Sequence, residues 1–218
     1  VYQQAPDSAQ AVFYLVGALQ KNNNLDEAGQ ILDEAAKRGI AEPRLAGLKL
    51  GQQLRQGQTG PAIQTVEELL QQQGNNLLLK IFLANLKMRQ SDFAGAHAIL
   101  DALDGEDANV TMAKVDLLMR EGSKDEALAL ANKIVEKLDK AGAYLFRAKV
   151  LAAMGRLDEA EADYQKVTEL EPDKPQGWAY LSDFLAARNK TADATKAIEK
   201  ALDIDGKSPA IVARAARL

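Results

Sequence analysis

One small residue returning at a nearly constant distance constrains this chain more than any other feature. Ala28, Ala62, Ala96, Ala127, Ala160 and Ala194 are separated by 34, 34, 31, 33 and 34 residues. Each stands near the start of an apolar-periodic stretch, as in Leu157-Asp158-Glu159-Ala160, which continues through Tyr164, Val167 and Leu170 until Pro172 stops the helix. Chance placement of a common residue does not give intervals this even, whereas stacked copies of one structural module do.

A second landmark recurs with the first. Gly57, Gly122 and Gly155 lie five residues before their alanine, Asn23 and Asn189 hold the same place, and Ser91 is the weakest of the six. Glycine and asparagine tolerate the left-handed conformation that ends a helix, so the position predicts a tight turn between two antiparallel helices. Alanine suits the point where those helices cross, because axes 8–10 Å apart leave little side-chain room. Helix pairs are therefore expected over residues 9–40, 43–75, 77–104, 108–139, 141–171 and 175–205.

Prolines fit this division. Pro43, Pro172 and Pro209 fall between pairs, and Pro61 is expected at the first position of its helix. The interval of 31 residues spans Leu103-Asp104-Gly105-Glu106-Asp107, which predicts a shortened second helix and an irregular linker there. Val1 to Ser8, with Pro6, matches the tail of a module, and Ser208 to Leu218 begins another first helix with Val212 and Ala215 on its apolar face. Neither end carries a polar capping element, so the chain is expected to be a piece of a longer array.

Composition excludes several alternatives. Hydrophobic residues make up 47% of the chain and aromatic ones only 5%, which predicts a core of small and aliphatic side chains on helices. With 27 basic and 31 acidic residues the net charge is −4, and no general positive field recruits nucleic acid. The absence of cysteine removes disulfides, thiol catalysis and cysteine-held metals. No run of 18 apolar residues is present to span a membrane.

In the series Tyr144, Ala148, Leu151, Gly155, Ala160, Tyr164 and Pro172, and again in Trp178, Leu181, Leu185, Ala194 and Ala201, the chain resembles the tetratricopeptide repeat family. The resemblance covers six full repeats plus fragments at both ends. The first four repeats depart from it most, since Val12, Ala46, Lys80 and Thr111 replace the large aromatic residue near the start. It implies an all-α, right-handed superhelix over residues 1–218, one solenoid domain whose first helices line a concave groove. Members of the family usually bind peptides, helices or other proteins and carry no chemistry of their own. More narrowly, the many divergent repeats and the glutamine- and alanine-rich composition resemble long bacterial repeat proteins of envelope and exopolysaccharide export. That likeness implies a periplasmic protein, or one anchored to a membrane through a preceding segment.

Helix faces assigned from the repeat place Phe13, Gly17, Gly47, Gly51, Ile81, Asn85, Met112, Asp116, Leu145, Lys149, Ala179 and Asp183 on the inward row. Helix-central glycines cost roughly 0.5–1 kcal/mol each relative to alanine, so Gly47 and Gly51 need a reason. Close approach of a bound segment is one; relief of crowding against neighbouring helices is the more common one. Lys21, Arg55, Arg89 and Arg120 each stand seven residues before their alanine. This row of cations could hold an acidic peptide or an anionic polysaccharide, or could serve only the carbonyl ends of its own helices. Family members that clamp a terminal carboxylate use lysine and asparagine on successive first helices, and of these only Asn85 is present.

Catalysis and cofactors are not expected. His97, the single histidine, has no cysteine or second histidine near it in sequence, and the pairs Asp26-Glu27, Asp125-Glu126 and Asp158-Glu159 suit the amino ends of second helices. Asp205-Gly206-Lys207-Ser208 lacks the earlier glycine and the preceding strand of a phosphate loop. The expected function is thus a non-catalytic scaffold that binds a peptide or helix, within an envelope or export assembly. A structural spacer and a binder of anionic polysaccharide are the alternatives.

Overall fold

The computed structural model describes residues 8–40 and 42–217. The expected tail of a module at Val1–Ser8, with Pro6, falls almost wholly outside them. The described residues form thirteen helices. In the compact unit Val1–Asp104 these are α1 (Ala9–Lys21), α2 (Leu25–Lys37), α3 (Pro43–Arg55), α4 (Thr59–Gln73), α5 (Leu77–Arg89) and α6 (Phe93–Leu100). The unit Gly105–Leu218 holds α7 (Ala108–Glu121), α8 (Lys124–Leu138), α9 (Ala141–Ala153), α10 (Leu157–Leu170), α11 (Pro175–Ala187), α12 (Thr191–Asp205) and α13 (Pro209–Ala215). Both are all-α and built from paired-helix repeats, at the positions the alanine period predicts.

The period has a local cause, visible six times. Asn23, Gly57, Ser91, Gly122, Gly155 and Asn189 all have φ between 60° and 89°. The amide of the next residue donates back across the helix end, Asn24 to Leu19, Gln58 to Gln53, Asp92 to Lys87, Ser123 to Leu118, Arg156 to Leu151 and Lys190 to Leu185, at 2.8–2.9 Å. These bonds are the wide loop of the Schellman motif, and they reverse the chain in about two residues. The alanine follows as the fourth residue of the second helix, where its amide closes the first turn on the N-cap carbonyl. All six alanines are 0% exposed, as a close helix crossing requires.

Ser91 does the work of glycine or asparagine with a Cβ that the left-handed region disfavours. Ser91→Gly is therefore expected to raise the unfolding free energy by about 0.5–1 kcal/mol. A urea midpoint that stays put or falls would contradict this.

Pro43, Pro175 and Pro209 occupy the first turn of α3, α11 and α13. Pro61 is the third residue of α4 rather than the first, a place that also lacks an intrahelical amide partner. The predicted shortening is the eight-residue α6. In α13 it is Ile211, 3% exposed, that enters the core with Ala215 beside it; Val212 is 46% exposed, so the expected apolar face is rotated by one residue.

Within the N-terminal unit α1 packs on α2 and α3, and α4 on α3 and α5. Its cores are aliphatic, one around Val12, Val16, Leu32 and Leu45 and another around Ile63, Val66, Leu83 and Leu86. Side-chain amides of the buried Gln52 and Gln53 and the half-buried Gln20 join these helices: Gln52 Nε2 donates to the Leu25 carbonyl at 2.6 Å, Gln20 Nε2 donates to Gln52 Oε1 at 3.2 Å, and the Thr65 hydroxyl donates to Gln53 Oε1 at 3.1 Å.

An ion pair lies inside the packing of the C-terminal unit. Arg147 of α9 donates from Nε and Nη2 to both oxygens of Asp163 of α10, at 2.8 and 2.7 Å, and from Nη1 to Asn132 Oδ1 of α8 at 3.1 Å. The hydrogen bonds to Asp163 hold the guanidinium above its ordinary pKa, against the opposing effect of burial. Further along, Arg188 pairs with Asp158 at 2.8 Å and with Glu161, and the Ser182 hydroxyl donates to the Ala194 carbonyl at 2.8 Å.

Candidate functional site

The first helices of the N-terminal unit carry the predicted residues at a spacing of four, which puts them on one face of each helix. On α1, Phe13 packs partly into the Val12–Val16 core, and the Arg44 guanidinium lies 5.3 Å from its ring centre. Gly17 follows one turn later, and Gly47 and Gly51 take the same places on α3. A Cβ built on any of these three glycines meets no heavy atom within 4 Å. Crowding by neighbouring helices therefore does not account for them; they leave bare main chain beneath open space. On α5, Ile81 and Asn85 are half-buried.

Lys21, Arg55 and Arg89 are the last residues of α1, α3 and α5, and all three are exposed. No acidic group among the described residues lies within 4 Å of any of them, so their charge is left for the helix carbonyl ends and for solvent. Leu78, 67% exposed and one turn before Ile81 on α5, shares this face and was not anticipated. Its signal was the apolar run Leu77-Leu78-Leu79, one residue more than a buried helix stripe needs.

In the C-terminal unit the predicted row is more engaged. Met112 packs against Ile134, Val135 and Ala143, and Leu145 against Ala148, Tyr164 and Leu181, so both serve the core. Arg120 Nε donates to Asp116 Oδ2 at 3.0 Å along α7. Ala179 is 0% exposed beneath Ile198 and Ile211 rather than on an open face. The next residue, Tyr180, presents its ring instead, with Lys149 Nζ at 5.3 Å and the Arg214 guanidinium at 5.0 Å from the ring centre. Arg214 also reaches Asp183 at 3.3 Å. Aromatic residues at Phe146 and Tyr180, each one position after a predicted inward residue, were the signal that the open face turns further around the helix.

His97 is partly exposed, with Nδ1 3.4 Å from Asp101 of its own helix end. Among the described residues no group of three or more histidine, cysteine or acidic residues could hold a metal ion, and no helix is long and apolar enough to cross a membrane.

A tetratricopeptide repeat family model matches residues 83–143 and 147–209, more than half of the chain. The chain belongs to the tetratricopeptide repeat family. As a tetratricopeptide repeat protein it is a non-catalytic scaffold for protein–protein interaction. Among solved structures, a tetratricopeptide repeat protein from Parabacteroides merdae is similar at 15% identity and a TM-score of 0.69, with 99% of this chain and 87% of that one covered. The Cut9–Hcn1 hetero-tetramer of APC/C is similar at 12% identity and 0.57, over 99% and 44%. MamA from Desulfovibrio magneticus gives 16% identity and 0.50, over 76% and 96%. At these identities the likeness is one of fold. No curated protein matches the tetratricopeptide repeat chain in sequence.

Proposed function

We propose that the first-helix faces of the N-terminal unit hold a helix or extended segment of a partner protein. The observation that carries this reading is the open space above Gly17, Gly47 and Gly51. Three helix-weakening residues without a packing reason suit a place where another main chain comes close. Leu78 and Ile81 supply apolar contact, and Lys21, Arg55 and Arg89 supply cations for acidic groups of the partner. An anionic polysaccharide would use the same three cations but would gain little from bare glycine and leucine.

The test uses the full chain as bait for its native partner, comparing Gly47→Leu/Gly51→Leu with Arg55→Glu/Arg89→Glu. Leucine is the better helix former and its Cβ meets no heavy atom within 4 Å at either position, so the first variant is expected to fold about as stably as the parent. It should nevertheless lose the partner, while charge reversal should weaken binding about tenfold and flatten its salt dependence. Capture unchanged by both substitutions would end the proposal. Loss on charge reversal alone would favour a polyanion, and no specific capture would favour a spacer.

The divergent repeats and the glutamine- and alanine-rich composition support placing this assembly in a bacterial envelope or export system, in the periplasm or tethered to a membrane. Recovery of the native protein in the soluble cytoplasmic fraction would count against that placement.

A further inference from the structure

One position of the second helices decides how much space is left between them. Three residues after the repeat alanine they carry Ile31, Thr65, Ile99, Leu130, Asp163 and Ala197, so only α12 has nothing beyond a methyl group there. In the furrow between α8 and α10, Arg147 of α9 ties Asp163 to Asn132, and a cavity of about 250 Å³ is left. One repeat on, between α10 and α12, the matching residues are Gln165, Leu181 and Ala197, which cannot make that bridge. The cavity there is about 520 Å³, with Trp178, Leu181, Leu185 and Ala197 as an apolar floor. In the N-terminal unit the positions of Leu181 and Ala197 hold Leu83 and Ile99, which pack together and show how the space is filled elsewhere. This furrow opens between second helices, not along the first-helix faces.

Size and rim charge together define a ligand. Sites for small molecules span roughly 300–1,000 Å³, and this cavity falls within that range. The Trp178 indole N–H donates to the Pro172 carbonyl at 3.0 Å, so the ring offers the cavity an apolar surface and no free donor. On the rim, Lys196 is held by Asp193 at 3.1 Å, whereas Lys200, Glu199 and Asp203 have no partner of opposite charge within 4 Å among the described residues. The matching pair of α10, Lys166 and Glu169, closes at 3.1 Å; Lys200 and Asp203 have the same spacing and stay apart. A cation alone would leave Lys200 unanswered, and an anion alone would face two carboxylates. We infer that this cavity binds a small zwitterion with a bulky apolar body, of the class of free amino acids such as phenylalanine. Its carboxylate meets Lys200, its ammonium meets Asp203 and Glu199, and its side chain takes the space above Ala197.

Trp178 is the only tryptophan in the chain, so its fluorescence reads this cavity directly. The probes are free phenylalanine, N-acetylphenylalaninamide, which keeps the body without the charges, and glycine, which keeps the charges without the body. Free phenylalanine is expected to change Trp178 emission saturably, and the other two should bind about tenfold more weakly or worse. Ala197→Ile copies the Leu83–Ile99 filling; it should keep the circular dichroism and urea midpoint of the parent and lose the response about tenfold or more. Lys200→Gln, on the exposed rim, should weaken free phenylalanine about tenfold and leave N-acetylphenylalaninamide unaffected. The inference is overturned if free phenylalanine leaves Trp178 emission unchanged up to about 20 mM, well above the dissociation constant of a useful site. It is equally overturned if the capped compound binds as tightly as the free one, or if Lys200→Gln changes nothing. Should Ala197→Ile fail to fold, the capped probe and Lys200→Gln still decide. None of these variants touches the N-terminal first-helix face, whose partner capture is a separate measurement.

Discussion

Replacing Arg147 with alanine is expected to lower the unfolding free energy by about 3 kcal/mol, at the lower side of the range for breaking a buried ion pair. The Asp163 side chain is 7% exposed and that of Arg147 is 23% exposed, so some water reaches the guanidinium but hardly any reaches the carboxylate. Once Arg147 is gone, Asp163 has lost both strong donors and stays inside the packing of α8, α9 and α10. Arg147→Lys should recover only part of the loss, because an ammonium cannot span both oxygens while also reaching Asn132. Arg147→Leu/Asp163→Leu should return close to the parent stability, since apolar groups there have no desolvation cost to offset. Urea midpoints for the four proteins measure this; a single-site loss under about 0.5 kcal/mol would mean that the pair behaves as a surface one.

The second large effect is at a helix crossing. Leu151 is 3% exposed and packs with Ala160, which is 0% exposed, in a cluster with Leu128. Leu151→Ala is expected to cost about 2–5 kcal/mol by opening a cavity. Ala160→Leu should cost about 1–3 kcal/mol by forcing the α9–α10 crossing apart. Because the two residues share one packing site, Leu151→Ala/Ala160→Leu should cost less than the sum of the single changes. Strict additivity in a double-mutant cycle would show that the two side chains do not share that space.

Most of the helix map was legible because its determinants are local. A residue of positive φ, a back-donating amide and an alanine five residues later recur within each hairpin, so the period can be counted without knowing what packs on what. The pairing of Arg147 with Asp163 was not legible, because its reason lies sixteen residues away on another helix. In sequence Arg147 is a charge between Tyr144 and Ala148, and nothing local marks it as enclosed. Gln52 and Gln53 were hidden for the same reason. The glycines of the N-terminal faces could be found in the sequence but not explained there. Crowding and exposure leave the same residue behind, and only the surrounding space separates them. Ala179 and Val212 were misplaced by about 100°, one residue of helical rotation, which is the resolution of a repeat-based face assignment.

Gly29 marks a device of another kind. A Cβ there would come within 2.9 Å of the Gln52 amide nitrogen, so the missing side chain is what lets that amide reach the Leu25 carbonyl. Contacts between alanines and leucines are nearly indifferent to a small slide of one rod along another, and an interface made of them alone would have several almost equal settings. The glutamine works like a detent: displace α3 by one notch along α2 and a polar group is stranded out of water. An N-terminal unit stripped of this catch by Gln52→Leu would be expected to keep its helix content while its α2–α3 alignment became a choice among neighbours.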